Sequence, residues 1–350
     1  MSKGIVSLHD KLSSEEKLIS ASSNRKFSDR YVDFDEIRRK KSHCETIIEI
    51  NNKWAVEHPD ECDPLKLARE NEQALAEITQ LNAILATEPP PPELPPRQPL
   101  FKVSGMLEEF SVQKVIGYFT DREYDPQGFA KQEASEQVGS LLLAVTGNAA
   151  GSVVTGQSKI RKDDACDFVR GKINGIPFHG WLGKKNAQPG DFIEMAVMGQ
   201  GDHYVVYAIM LPELRTLSMT PRCCRGRKAD IRFALIYGMP MISSIFLIIL
   251  IVFAFKGMDP EFIAFCAAIW AGMLFLAFCR AAWKTIKQPG AVILLAENIF
   301  TTLGFADPQR IDLRKLTKDR LKKQKGNPLA TNVREMPSRR KTWTDYFYYY

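Results

Sequence analysis

The chain has 350 residues, of which 45% are hydrophobic and 25% charged. These are globular averages, so wholesale disorder and fibrous repeats are excluded, and the length suits two or three domains. The net charge of +6 is segregated into −4 over residues 1–99, +1 over 100–279 and +9 over 280–350. A late basic excess with no recognition motif beside it suits an anionic lipid surface and argues against nucleic acid.

Residues 1–30 are polar and Ser-rich and read as an arm. Residues 1–10 lack the basic start and apolar core of an export leader, so no signal peptide is expected there. Seven cysteines, an odd number with two inside apolar runs, form no disulfide framework and fit a reducing compartment. Residues 31–55 and 63–86 are predicted helices. Asp63 is placed to cap the second, and Pro64 suits its first position. Ala68, Leu75, Ile78 and Leu85 follow helical spacing, with Asn71 and Asn82 on the same face. A packed helical hairpin is the simplest reading of 1–88, and a short oligomerising coiled coil is the alternative.

Residues 89–99 contain seven prolines in eleven positions. Proline fixes φ and cannot donate a hydrogen bond, so this stretch reads as a semi-rigid spacer and as a domain boundary. From 100 to 220 the period changes to that of strands. Turn signals at Asn174-Gly175, at 188–191 and at 199–202 separate short alternating runs. They predict a small antiparallel, barrel-like sheet. Inserted in it is a small-residue apolar stretch, 133–156. It is too short and too Gly-rich for a spanning helix and reads as a packed helical insert or a membrane-dipping segment.

A charge-free run then extends from Phe233 to Phe255, about 34 Å long as a helix. A second runs from Phe262 to Cys279, and helix extends to 283. The hydrocarbon core is roughly 30 Å thick. Two spans joined by a short loop make a hairpin over 231–284. Basic residues flank it: Arg222, Arg225, Arg227, Lys228 and Arg232 before, Arg280, Lys284 and Lys287 after. The loop holds only Lys256, so both ends are predicted to face the cytoplasm. Ser243, Ser244, Ala264, Ala268, Ala271 and Gly272 are small and permit close helix packing, within one hairpin or between copies. The lipid bilayer is the first partner implied, and a homo-oligomer is a second.

After the hairpin, 289–303 reads as a helix, Asp312 as the cap of a basic helix, and the aromatic end 346–350 as a cluster needing cover by the sheet or the lipid interface. The whole is an α+β multi-domain membrane protein: helical arm, small β domain, two-helix hairpin and basic C-terminal region 285–350.

Chemistry is weakly signalled. GSVVTGQS at 151–158 mimics a phosphate loop but has Gln157 where lysine is needed. His43, Cys44, His58 and Cys62 are too scattered for a metal site. His179 and His203, with Asp167, Asp191, Asp202, Glu213 and Cys166, are the only candidates for catalysis, and the strand pattern around His179 suits an ordinary sheet residue. No catalytic residue, metal or cofactor is expected. The absence of ionisable residues inside the spans argues against a transporter.

Several ordered blocks carry a resemblance. They are DFVRGKINGIPFHGWLG at 167–183, GDFIE at 190–194, DHYVVYA at 202–208, TLSMTPRCCRGRK at 216–228, AENIFTTLGFADPQRIDLRKLTK at 296–318 and the aromatic end. From residue 103 onward the chain resembles bacterial membrane proteins known as type VI secretion system effectors. The resemblance implies a role in antagonism between bacteria and supplies no catalytic residues. The expectation is a non-enzymatic effector that inserts in and depolarises a target inner membrane. The alternative is a resident immunity or accessory protein of the inner membrane, bound to a cognate toxin or secretion component.

Overall fold

A computed structural model of the chain describes residues 31–59, 63–131, 133–134, 163–257, 259–324, 334–338 and 344–350. The insert 133–156 and the loop 151–158 lie outside the described residues, apart from 133–134. The described chain divides into two units, the first ending at Leu81 and including Lys114–Ile116, the second comprising Asn82–Gln113 and Gly117–Tyr350.

The first unit is built on two helices, α1 (Phe34–Glu57) and α2 (Pro64–Leu85). Asp33 caps α1 by accepting from the amides of Asp35 and Glu36. Asp63 caps α2, accepting from Leu65 at 3.0 Å and Lys66 at 3.3 Å. The covered face of α2 differs from expectation. Ala74 and Leu81 are buried, Leu67, Asn71, Ile78 and Leu85 half-buried, whereas Ala68, Leu75 and Asn82 are exposed. Positions 67, 71, 74, 78, 81 and 85 alternate steps of four and three, the spacing of a helix–helix seam. Asn71 decides the face: it donates to Asn52 at 3.1 Å and accepts from Asn51 at 3.0 Å.

The Pro-rich segment, expected as a spacer, lies within the second unit. Its carbonyls accept what its prolines cannot donate. Trp181 Nε1 donates to Pro90 O at 2.9 Å, and Tyr207 OH donates to Glu93 O at 2.8 Å. A stretch with few N–H groups of its own can thus lie on a barrel wall without stranding donors.

The barrel follows. Strand β1 (Phe101–Tyr118) is long enough to serve two neighbours. A short helix α3 (Asp121–Tyr124) is followed by β2 (Asp163–Ile173), β3 (Ile176–Leu182), β4 (Phe192–Gln200) and β5 (His203–Leu211). Asn174 and Gly175, both at positive φ, make the β2–β3 turn. The ring runs β1-β2-β3-β5-β4 and back to β1. The closing pair β3–β5 is parallel, with Gly180 opposite Val206. The barrel is therefore mixed, where an antiparallel one was expected. Leu107, Val169, Phe178, Leu182, Ile193 and Ile209 are among the side chains that fill it.

Beyond β5 the sheet continues through β6 (Thr216–Met219). Then come α4 (Arg227–Phe255) and α5 (Pro260–Lys287), long and apolar enough to cross a membrane. Their apolar windows are wholly unburied, so they are not core helices of the second unit. The first turns of α4 include a π segment, Ala234–Gly238. Pro240, which lacks an N–H, removes the α-type partner of Ile236 and accounts for the widened turn.

The chain then returns to the barrel side. Helix α6 (Ala291–Thr302) buries Leu295, Ala296, Ile299 and Phe300. Helix α7 (Leu313–Gln324) starts at Asp312, which accepts from the Lys315 amide at 3.1 Å. Strand β7 (Phe347–Tyr349) pairs with β6. The terminal aromatic cluster is thus covered by sheet and helix, one of the two outcomes expected.

Candidate functional site

The hairpin and its base form the first candidate. Segments before and after the two long helices are stitched together. Gly226 N donates to Ile311 O at 3.0 Å, and Leu313 N donates to Cys224 O at 3.1 Å. The Arg225 guanidinium lies between Asp230 at 3.1 Å and Asp312 at 3.6 Å. Arg227 holds the same junction. Its side chain donates twice to buried Glu297 at 3.0 Å and once at 2.5 Å, its amide donates at 2.8 Å, and it reaches Ile286 O at 3.3 Å. Planar two-point contact of this kind needs arginine. Glu297→Gln is expected to destabilise the second unit by about 3 kcal/mol, since it leaves a hydrogen-bonded arginine without its counter-charge. Thermal unfolding in detergent would show it, and Arg227→Lys should fail to substitute.

The flanking basic residues therefore divide. Arg222 pairs with Asp164 at 2.8 Å, and Arg225 and Arg227 pair as described. These three hold the fold. Lys228, Arg232, Arg280, Lys284 and Lys287 are exposed. Lys287 Nζ lies 5.3 Å from the Trp283 ring centroid.

Between the two long helices, Phe246 stacks on Trp270 with centroids 4.4 Å apart. Ser243, Phe246 and Leu250 on α4, and Ile263, Ala267, Trp270 and Leu274 on α5, are among the half-covered positions. Of the six small residues expected to pack, Ser243 is half-covered. Ser244, Ala264, Ala268, Ala271 and Gly272 are exposed. The stacked aromatic pair occupies the seam, and those five small residues stay exposed.

A groove of about 670 Å³ lies at the base. Its walls are the first turns of α4, including Arg232, Phe233, Ile236 and Tyr237, and α7 with Lys315, Lys318 and Lys322. Sequence reasoning missed the α7 contribution. The signal was the three-and-four spacing of those lysines, but nothing in the sequence placed them opposite α4.

The second candidate is an open face of the barrel, about 720 Å³, lined in part by Phe110, Phe168, Arg170, His179 and His203. The imidazoles of His179 and His203 are 5.0 Å apart, and His203 Nδ1 lies 3.0 Å from Asp202 Oδ1. Burial first, and His203 second, hold His179 below the ordinary histidine pKa. The other expected partners are elsewhere engaged or apart. Asp191 is held by Arg334 at 2.8 and 3.0 Å. Glu213 is exposed and Asp167 buried. Cys166 is buried, and burial raises its thiol well above the usual range. Cys223 and Cys224 are buried, and burial pushes the Cys223 thiol up to about 12. The thiols are thus held as poor nucleophiles. Among the described residues, no group of three His, Cys, Asp or Glu is placed to share a metal ion.

The fold and these faces define an α+β chain with a closed five-strand barrel and two long exposed apolar helices. No family profile, curated protein or solved structure matches it.

Proposed function

We propose that the chain is a resident two-span protein of a bacterial inner membrane, associated with type VI secretion. It holds its barrel and both ends of the hairpin on the cytoplasmic side and acts by binding a protein, as an immunity or accessory component, rather than by catalysis. One observation carries this reading: the polypeptide before α4 and the polypeptide after α5 close a single domain through Arg225, Arg227 and the β6–β7 pair. Both ends of the apolar hairpin therefore return to one side. The exposed basic residues at those ends favour the cytoplasm as that side. The secretion-system association rests on the sequence blocks alone.

The depolarising effector is the second reading. Its support is the outward stripe of Ala264, Ala268, Ala271 and Gly272, which suits self-association of hairpins. Membrane potential read with a dye, in bacteria expressing the chain with and without an added export signal, separates the two. The resident reading expects a carbonate-resistant membrane protein and an unchanged potential in both cases. Export-dependent depolarisation, lost when 233–280 is deleted, would replace it with the effector reading.

A further inference from the structure

We propose that the groove between the entry turns of α4 and the basic face of α7 binds an anionic glycerophospholipid. Arg232, Lys315, Lys318 and Lys322 would hold its phosphate, and Phe233, Ile236 and Tyr237 would lie along its glycerol and upper acyl chains. The inference rests on the membrane-spanning reading and goes beyond it by naming a ligand.

Charge is the first argument. Seven cationic side chains border the groove against two carboxylates, Asp312 and Asp319. Asp312 already serves Arg225 and the Lys315 amide. Among the described residues, Arg232, Lys315, Lys318 and Lys322 have no carboxylate within 4.0 Å. Lysines three and four apart share one face of a helix, where like charges repel; Asp319 on the same face offsets only part of this, one carboxylate against three lysines. An anion in the groove offsets that repulsion. The opposite face of α7 is anchored: Leu313 and Thr317 are fully buried, and Thr317 Oγ1 accepts from Tyr349 N at 3.0 Å. The lysine face is thus held open and in place.

Position is the second argument, and it selects lipid over a soluble phosphate. One wall of the groove is the start of a helix long enough to cross a membrane. Ile236 and Tyr237 are half exposed, at 50% and 57%. The wall changes from charged to apolar at Phe233, so a molecule lodged there meets cations at one end and hydrocarbon at the other. A phospholipid has that polarity, and basic pockets beside spanning helices on the cytoplasmic side hold such headgroups. Tyr237 has the amphipathic ring that favours the headgroup level.

The test uses the full chain extracted from membranes in mild detergent. Phosphatidylglycerol is titrated in, with phosphatidylcholine as the neutral comparison, and bound lipid is read by native mass spectrometry. The triple variant Lys315→Gln/Lys318→Gln/Lys322→Gln removes the α7 charges. A second triple, Lys66→Gln/Arg69→Gln/Lys172→Gln, removes equal charge at residues outside the groove. Saturable retention of phosphatidylglycerol is expected, weakened on the order of a hundredfold in the α7 variant at about 1 kcal/mol per lysine, and unchanged in the control. Unchanged melting of the α7 variant shows that it folds. Equal loss in both triples, or no preference over phosphatidylcholine, would overturn the site. Displacement by millimolar inorganic phosphate would overturn the lipid as its ligand. A chain found in the soluble fraction would instead overturn the membrane reading itself.

Discussion

Removing the last five residues is expected to unfold the second unit, and Tyr348→Ala alone to cost about 4 kcal/mol. The five residues are short, but they are a structural strand. Tyr348 is fully buried, and Tyr346, Phe347 and Tyr349 are nearly so. Their backbone pairs with β6, Leu217 opposite Tyr348. Met219 N donates to Tyr346 O at 3.1 Å, and Tyr349 N donates to Thr317 Oγ1. Deleting the strand would expose β6 and uncover the inner face of α7 together. Thermal unfolding in detergent should show Tyr348→Ala melting about 10 °C lower, taking roughly 2–4 °C per kcal/mol for a unit of this size. Tyr350→Ala, at the half-exposed last position, should change little. Equal melting of Tyr348→Ala and the native chain would mean that β7 is not part of the stable fold. During synthesis, the β6–β7 pair cannot form until the hairpin has been made and β7 has emerged.

Gly180→Val should open the barrel. A Cβ at Gly180 would meet the Val206 carbonyl oxygen at 2.3 Å and the Val206 side chain at 3.1 Å. The obstacle is backbone, so no rotamer change relieves it. Overpacking of this kind costs about 1–3 kcal/mol by itself. Here it also forces apart the parallel pair that closes the ring, Phe178–Tyr204, His179–Val205 and Gly180–Val206. A total near 4 kcal/mol is expected, with faster amide exchange concentrated at β5 residues Val205 to Tyr207. Gly290→Ala, where a Cβ meets open space, serves as the comparison and should exchange like the native chain. Uniform exchange in Gly180→Val would show that the β3–β5 seam does not close the barrel.

Much of the fold is legible in the amino-acid sequence. Charge-free length defines the two long helices, because apolar length is a property of consecutive residues. Asp63 before Pro64 marks a helix start, since cap and first-turn proline form a local signature, whereas Asp33 caps α1 with no such neighbour to announce it. Asn174-Gly175 marks its hairpin for a similar reason: only certain residues accept two successive positive φ values. The aromatic end announces that it needs cover.

Other features are not local. The ring order depends on β3 meeting β5 in parallel, a contact between strands separated by β4, and only the close approach at Gly180 allows it. The Pro-rich segment reads as a spacer because its composition forbids helix and sheet, yet carbonyls that accept from Trp181 and Tyr207 seat it on the barrel. On α2 two faces have comparable apolar spacing, and cross-helix hydrogen bonds of Asn71 choose between them. The basic residues around the hairpin are one undifferentiated set in the sequence. Glu297 and Asp164 take some into ion pairs, and α7 supplies others from some eighty residues further on. By itself the sequence determined where helices cap, where turns fall and which stretches suit hydrocarbon, because those follow from neighbouring residues. The tertiary structure alone decided which charges are consumed by the fold and which stay exposed at the base of the long helices, because that depends on partners distant in the chain.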